Sequence, residues 1–322
     1  MSDEALKVSF PKRAGAALKD AFLQEALTIA TTKFIELRRE SFAGFPQGEA
    51  LRDRARGIKE ATLQRLDFYL GQLADSVERL GGRVHWAATG EEARETVLRL
   101  CRDRGVRMAV KSKSMATEEI DLNEALERAG VTPVETDLGE YIIQLAHEKP
   151  SHIIAPAIHK TKGQVAELFS KELHGQFAAD PEVLTAVARK ALREKFLQAD
   201  MGITGANFAV AETGTVVLVT NEGNGRMVTS LPRIHVAVMG MEKVIPSMTD
   251  LMVFLAILAR SATGQKLSSY TTLVRGPRQP GELEGPEEFH LILLDNGRSR
   301  QIASTLVPFI RPSQPSQISQ TP

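Results

Sequence analysis

At 322 residues, 43% hydrophobic and 25% charged, the chain has the length and composition of a folded protein with one large or two ordinary domains and a sizeable core. Forty basic residues balance forty acidic ones, so no global field draws in nucleic acid or an anionic membrane. The lone Cys101 excludes an internal disulfide framework and any cysteine-only metal or iron–sulfur centre within this sequence.

The opening MSDEALKVSFPKRAG lacks the basic-then-apolar order of a secretory signal, and cytoplasmic residence is the expectation. Residues 14–40 place Ala17, Leu18, Phe22, Ala26, Leu27, Ala30 and Phe34 at three-four spacing, the mark of one helix. Gly and Pro at 44–48 break it, and a charged helical stretch then runs to about Leu80, closed by Gly81 and Gly82. Residues 1–65 are read as an N-terminal helical extension whose charged faces are either solvated or in contact with a partner subunit.

From residue 83 the pattern alternates. A short strand RVHWAA precedes a helix from Thr89 to Gly105, a strand over 106–113 and a helix over 114–130. Strand 131–136, short helix 137–146, strand 152–157 and helix 161–174 follow. Asp180 and Pro181 then open a helix whose predicted buried face is Val183, Leu184, Val187, Leu192 and Phe196. Strand 234–240, helix 248–261, a Gly/Pro-rich loop over 275–288 and strand 289–296 complete the pattern. The run LMVFLAILA (251–259) is too short to span a bilayer and reads as a buried helix. Such alternation implies βαβ units: an α/β fold with a mostly parallel sheet and flanking helices over 66–300. After Arg300 the chain turns Pro/Ser/Gln-rich, and 301–322 is expected to be a disordered tail.

In parallel α/β sheets ligands gather at the carboxyl ends of strands. The 106–113 strand ends in Lys111, Ser112, Lys113 and Ser114 before a helix, a set suited to phosphate or carboxylate. A plain Ser114 cap with solvated lysines is the other reading. Strand 131–136 ends in Glu135, Thr136 and Asp137 with Glu140 close behind, where paired carboxylates serve as acid and base or Asp137 merely caps a helix. His159 is a candidate acid–base or metal ligand, although no zinc-type spacing accompanies it, whereas His152 and His235 at strand starts read as structural.

The densest polar stretch is GITGANFAVAETGTVVLVTNEGNGR (202–226). Two apolar arms, Phe208–Ala211 and Val216–Val219, flank the turn Glu212, Thr213, Gly214, Thr215. Thr204 and Asn207 lead in, and Asn221, Glu222, Asn224 and Arg226 follow. Read as a site, Glu212 points into a cleft while the threonines, asparagines and Arg226 cover the same ligand. Read as structure, Glu212 sits on an exposed hairpin turn. The fingerprints G-x-x-x-x-G-K-[ST] and G-x-G-x-x-G after a strand are absent.

The long words VKSKSMATEEIDLNEALERAGVTPVETDLGEYIIQL, PSHIIAPAIHKTKGQVAELF and DMGITGANFAVAETGTVVLVTNEGNGRMVTSLPRIHVAVMGMEKVIPSMTDL resemble the lactate utilisation protein B family. The resemblance implies a LUD domain, with a fold similar to sugar-phosphate isomerases and CoA transferases. It implies a subunit of a complex oxidising L-lactate to pyruvate, inactive alone, with a cysteine-rich iron–sulfur subunit and a smaller LUD protein as partners. It carries over no firmly assigned catalytic residue; Glu212 is only a loose counterpart of the glutamate that attacks the thioester in CoA transferases. The family continues past DNGRSR into two C-x-x-C-x-x-C-x-x-x-C-P runs that ligate 4Fe–4S clusters. This sequence reads QIASTLVPFIRPSQPSQISQTP there, so the clusters belong to the longer family members and not to the residues present here. The alternative is a stand-alone enzyme or binding protein for a phosphorylated sugar or acyl-CoA-like ligand, or a scaffold.

Overall fold

The computed structural model describes residues 10–148, 156–157 and 159–306. Four helices come first: α1 (Phe10–Lys19), α2 (Ala21–Ala43), α3 (Gly48–Gln64) and α4 (Leu66–Arg79). The single helix expected over 14–40 is divided at Asp20, whose carboxylate accepts from the Leu23 amide at 3.0 Å and starts α2 afresh. The helical stretch after 48 is likewise broken, at Arg65.

The strands are β1 (Arg83–Ala87), β2 (Met108–Lys111), β3 (Thr132–Glu135), β4 (Met201–Thr204), β5 (Phe208–Val210), β6 (Thr215–Thr220), β7 (Ile234–Gly240), β8 (Val244–Ile245), β9 (Tyr270–Val274) and β10 (Glu288–Leu294). Six of them form an all-parallel sheet in the order β1-β10-β7-β4-β2-β3. Both faces are covered, which is why β7 and β10 read as continuous apolar runs.

One face packs on α5 (Gly90–Arg104), α6 (Met115–Glu119) and α7 (Leu122–Arg128), with Val97, Ile120 and Leu126 against Ala109, Ile203 and Val236. The helix expected over 114–130 is two helices because Asp121 takes a left-handed conformation at φ 47. The other face has two coverings. Over β2 and β3 lie α8 (Leu138–Leu145), α9 (Lys162–Glu172) and α10 (Pro181–Gln198), with Tyr141, Phe169, Leu192 and Phe196 around Val110 and Val134. Val183 of α10, predicted to be buried, is exposed; Leu184, Ala188, Leu192 and Phe196 form the inner stripe.

Over β7 and β10 lie α4 and a second sheet, β8-β5-β6-β9, in which β5 and β6 are an antiparallel hairpin. The sequence reading misses β8 and β9, and also β4, where the expected polar lead-in at Gly202 and Thr204 forms a buried central strand. The far side of this sheet packs on α12 (Met248–Thr263), where Leu251, Phe254 and Ile257 bury the apolar run noted above against Val210 and Val217, with Ala55 of α3. Between the sheets, α11 (Asn224–Ser230) sits so close to β4 that a Cβ on Gly202 would lie 1.9 Å from the Val228 carbonyl oxygen. α13 (Arg298–Leu306) continues as helix into the stretch expected to be a tail from 301.

At the sheet edge, Gln144 of α8 occupies β3: its Oε1 accepts from the Glu135 amide at 2.9 Å and its Nε2 donates to the Pro133 carbonyl at 3.0 Å. The strand expected at 152–157 lies outside the described residues except for Pro156 and Ala157, which are in a turn. Among the described residues no helix is long and apolar enough to cross a membrane.

Candidate functional site

β2 and β4 are neighbours, with the Ser112 amide donating to the Ile203 carbonyl at 3.0 Å. The chain leaves β2 toward α6 on one face of the sheet and leaves β4 toward β5 on the other. Diverging exits of neighbouring strands mark the crevice position at which α/β sheets bind ligands, with Gly205 packed against Ser114 across its base.

At the root of the crevice, Lys111 is only 2% exposed. Its ammonium donates to Glu135 Oε1 at 2.6 Å and Asn123 Oδ1 at 2.5 Å, and Asn123 Nδ2 donates to the same Glu135 oxygen at 2.8 Å. The parallel register that sets Lys111 beside Glu135 makes this a buried, hydrogen-bonded ion pair, so the Lys111 charge is already matched within the protein. Thr136 Oγ1 donates to the Lys111 carbonyl at 2.7 Å and accepts from Asn224 Nδ2 at 3.3 Å. Ser114 caps α6 through the Thr117 amide, and Asp137 caps α8 through the amides of Gly139 and Glu140.

Around this frame stand Lys113, half-buried, Glu118 and Glu140. Burial, then the neighbouring charges of Glu118 and Glu135, push the Glu140 carboxyl up to about 7, against the opposing pull of Lys113. Burial and Glu135 raise Glu118 as well. Glu140 Oε1 and Asn224 Oδ1 are buried without a hydrogen-bond partner among the described residues. Near neutral pH the crevice therefore presents a carboxylic acid able to donate and an amide oxygen able to accept, with Lys113 as the nearby cation.

The hairpin distributes its polar residues to opposite ends. At its open end, beside the crevice, Asn207 Oδ1 accepts from the Val219 amide at 2.7 Å. Asn221 bridges to Gln265 and Ser269, while Glu222 and Arg226 are exposed. At its closed end Glu212 is exposed; its Oε2 accepts from the Met248 amide at 3.2 Å, at the start of α12. Thr213 and Thr215 bond each other at 2.7 Å, and Gly214, at φ 67, lets the turn abut the backbone of α4 at Ser76 and Val77. The turn and the Asn221–Arg226 segment thus do not converge on one place.

Thr204 is buried and bonds His235 Nε2 at 2.9 Å; burial lowers this fully enclosed imidazole to about 3, so it stays neutral. His159 bonds Glu148 at 2.7 Å, beside Lys160. The structure accordingly gathers Lys111, Lys113, Ser114, Glu135, Asp137 and Asn224 around the crevice. Sequence reasoning missed Glu118 and Asn123, which lie on helical stretches without a distinguishing motif.

A cavity of about 940 Å³ lies farther along the same edge, between α3 and α13. Its arginines are paired within the protein, Arg298 with Glu119 and Glu242 and Arg56 with Glu60. A four-thiolate cluster does not fit the residues present. Cys101, the one cysteine, is buried in the core and burial pushes its thiol up to about 11. Among the described residues no group of three or more His, Cys, Asp or Glu is placed to hold a metal ion.

Comparison with known proteins agrees along most of the chain. Lactate utilization protein B of Bacillus subtilis (strain 168) is 48% identical over 292 residues, covering 90% of this chain and 61% of that protein. The protein of the same name from Shouchella clausii (strain KSM-K16) is 46% identical over 299 residues, 92% of this chain and 63% of its own length. This chain thus spans less than two thirds of the curated relatives it matches. Among solved structures, a DUF162 family protein from Deinococcus radiodurans aligns over 71% of this chain and 98% of its own, at 13% identity and a TM-score of 0.39. Residues 70–294 match the family described as LUD domain, and the chain belongs to that family.

Proposed function

We propose that this chain is the LUD-domain portion of a lactate utilisation iron–sulfur protein, acting in the cytoplasm in the oxidation of L-lactate to pyruvate, with electrons passing through partner subunits. The observation that carries the reading is 46–48% identity, sustained over nine-tenths of the chain, to proteins named lactate utilization protein B. With a single buried cysteine here, the clusters reside in cysteine-rich partners or in protein outside this sequence. The partners are a cysteine-rich iron–sulfur subunit and a smaller LUD protein. This chain contributes the crevice, which receives a small carboxylate beside Lys113.

The test is genetic. Deleting the gene from the source organism should abolish growth on L-lactate while growth on pyruvate continues, and the restored gene should rescue it. Undiminished growth on L-lactate overturns the assignment.

A further inference from the structure

The crevice holds two features that the protein's own contacts leave unexplained. Glu140 is 6% exposed, yet its Oε1 meets no donor, and Asn224, 7% exposed, has an Oδ1 that likewise accepts from nothing described. A buried polar atom without a partner forfeits about 1–3 kcal/mol, a cost tolerated where a ligand supplies the missing bond. Asn224 is oriented by Thr136, which takes its Nδ2 and so fixes Oδ1 as the free acceptor.

Among the described residues the charged groups acting on Glu140 are Glu118 of α6, Glu135 of β3, Asp137 at the cap of its own helix and Lys113 of the β2–α6 loop. No charged group of α9, which also packs on α8, is among them. Lys111 is engaged by Glu135. An ionised Glu140 would crowd a further carboxylate into this site, whereas the neutral acid adds a donor.

We propose that Glu140 is a protonated ligand contact: the crevice takes up a small monocarboxylate together with one proton, Glu140 donates to the ligand carboxylate, and Asn224 Oδ1 accepts from a hydroxyl on the same ligand. The inference rests on the reading of the crevice as the carboxylate site. No covalent bond is made or broken; the proton comes from solvent whenever Glu140 is ionised before binding. Its position near 7 places that uptake in the neutral range. A carboxylate without a hydroxyl satisfies Glu140 alone, so Asn224 is the residue that distinguishes hydroxy acids from simple carboxylates.

Isothermal calorimetry on the full chain tests this with L-lactate, pyruvate and acetate between pH 6 and 8.5, in two buffers of different ionisation enthalpy. Proton uptake should approach one per ligand above pH 8, with affinity falling about tenfold per pH unit above 7. Glu140→Gln should bind with no pH dependence, and Asn224→Ala should lose the preference for L-lactate over acetate while keeping acetate affinity. The uptake measurement uses the unaltered protein and is independent of how either variant folds. Binding without proton uptake, or pH dependence that survives Glu140→Gln, overturns the role of Glu140 and leaves the site standing. An unchanged L-lactate preference in Asn224→Ala overturns the hydroxyl contact. Absence of binding by all three ligands at every pH removes the site itself.

Discussion

Replacing Lys111 with Met isolates what the ion pair at the root of the crevice contributes. Met keeps an unbranched apolar stem and deletes the ammonium. Among the described residues the buried Glu135 carboxylate then keeps one hydrogen bond, from Asn123 at 2.8 Å, and Asn123 Oδ1 loses its donor. Stranding one charge of a buried pair costs about 3–5 kcal/mol, and the orphaned amide oxygen belongs to the same network, so the expected loss is about 4 kcal/mol. In Lys111→Met/Glu135→Gln no charge is stranded and the Gln oxygen still accepts from Asn123. That double variant should lie within about 2 kcal/mol of the parent. Urea unfolding followed by circular dichroism, with all four corners of the cycle and constant m-values, measures the coupling. A Lys111→Met loss below about 1 kcal/mol, or a double variant as unstable as the two singles added together, refutes the argument.

Other consequences are equally direct. Because the folded-state carboxyl of Glu140 is raised from 4.5 to about 7, the stability linked to it is full below pH 4.5 and lost as pH rises through 7. Glu140→Gln should remove that loss, gaining about 2 kcal/mol relative to the parent between pH 5 and 8 after allowance for solvent screening; parallel stability–pH curves would contradict this. Gly202→Ala forces a methyl against the Val228 carbonyl and should cost about 3 kcal/mol or more, read as a lowered unfolding midpoint. Cys101, buried with its thiol raised to about 11, should resist a thiol reagent such as DTNB in the native state and react on unfolding; rapid native labelling would show that α5 opens.

What the sequence discloses about this molecule is what neighbours along the chain decide. Thr89 and Asp180 cap their helices as their positions promise. β7 and β10 announce themselves as apolar runs, and the arms of the β5–β6 hairpin are visible around Gly214. β9 is not, since YTTLV is largely exposed and pairs only along β6, while β8 is two residues seated by β5. Asp121 splits a helix that spacing alone makes continuous. At the crevice, Lys111 and Glu135 are legible as strand-end residues, but their mutual neutralisation depends on the register between β2 and β3. The polar density of 202–226 suggests one site; antiparallel pairing sends Glu212 and Asn224 to different ends of a hairpin.

Gln144 has a consequence for how the protein behaves in company. Its primary amide imitates the peptide group of a next strand, filling both an N–H and a C=O of β3 on the side where another chain would add. Pro133 lacks an N–H of its own, so that margin offers little for a second polypeptide to grip. Edge-to-edge growth, the route by which crowded β proteins template one another, is stopped there by a single side chain.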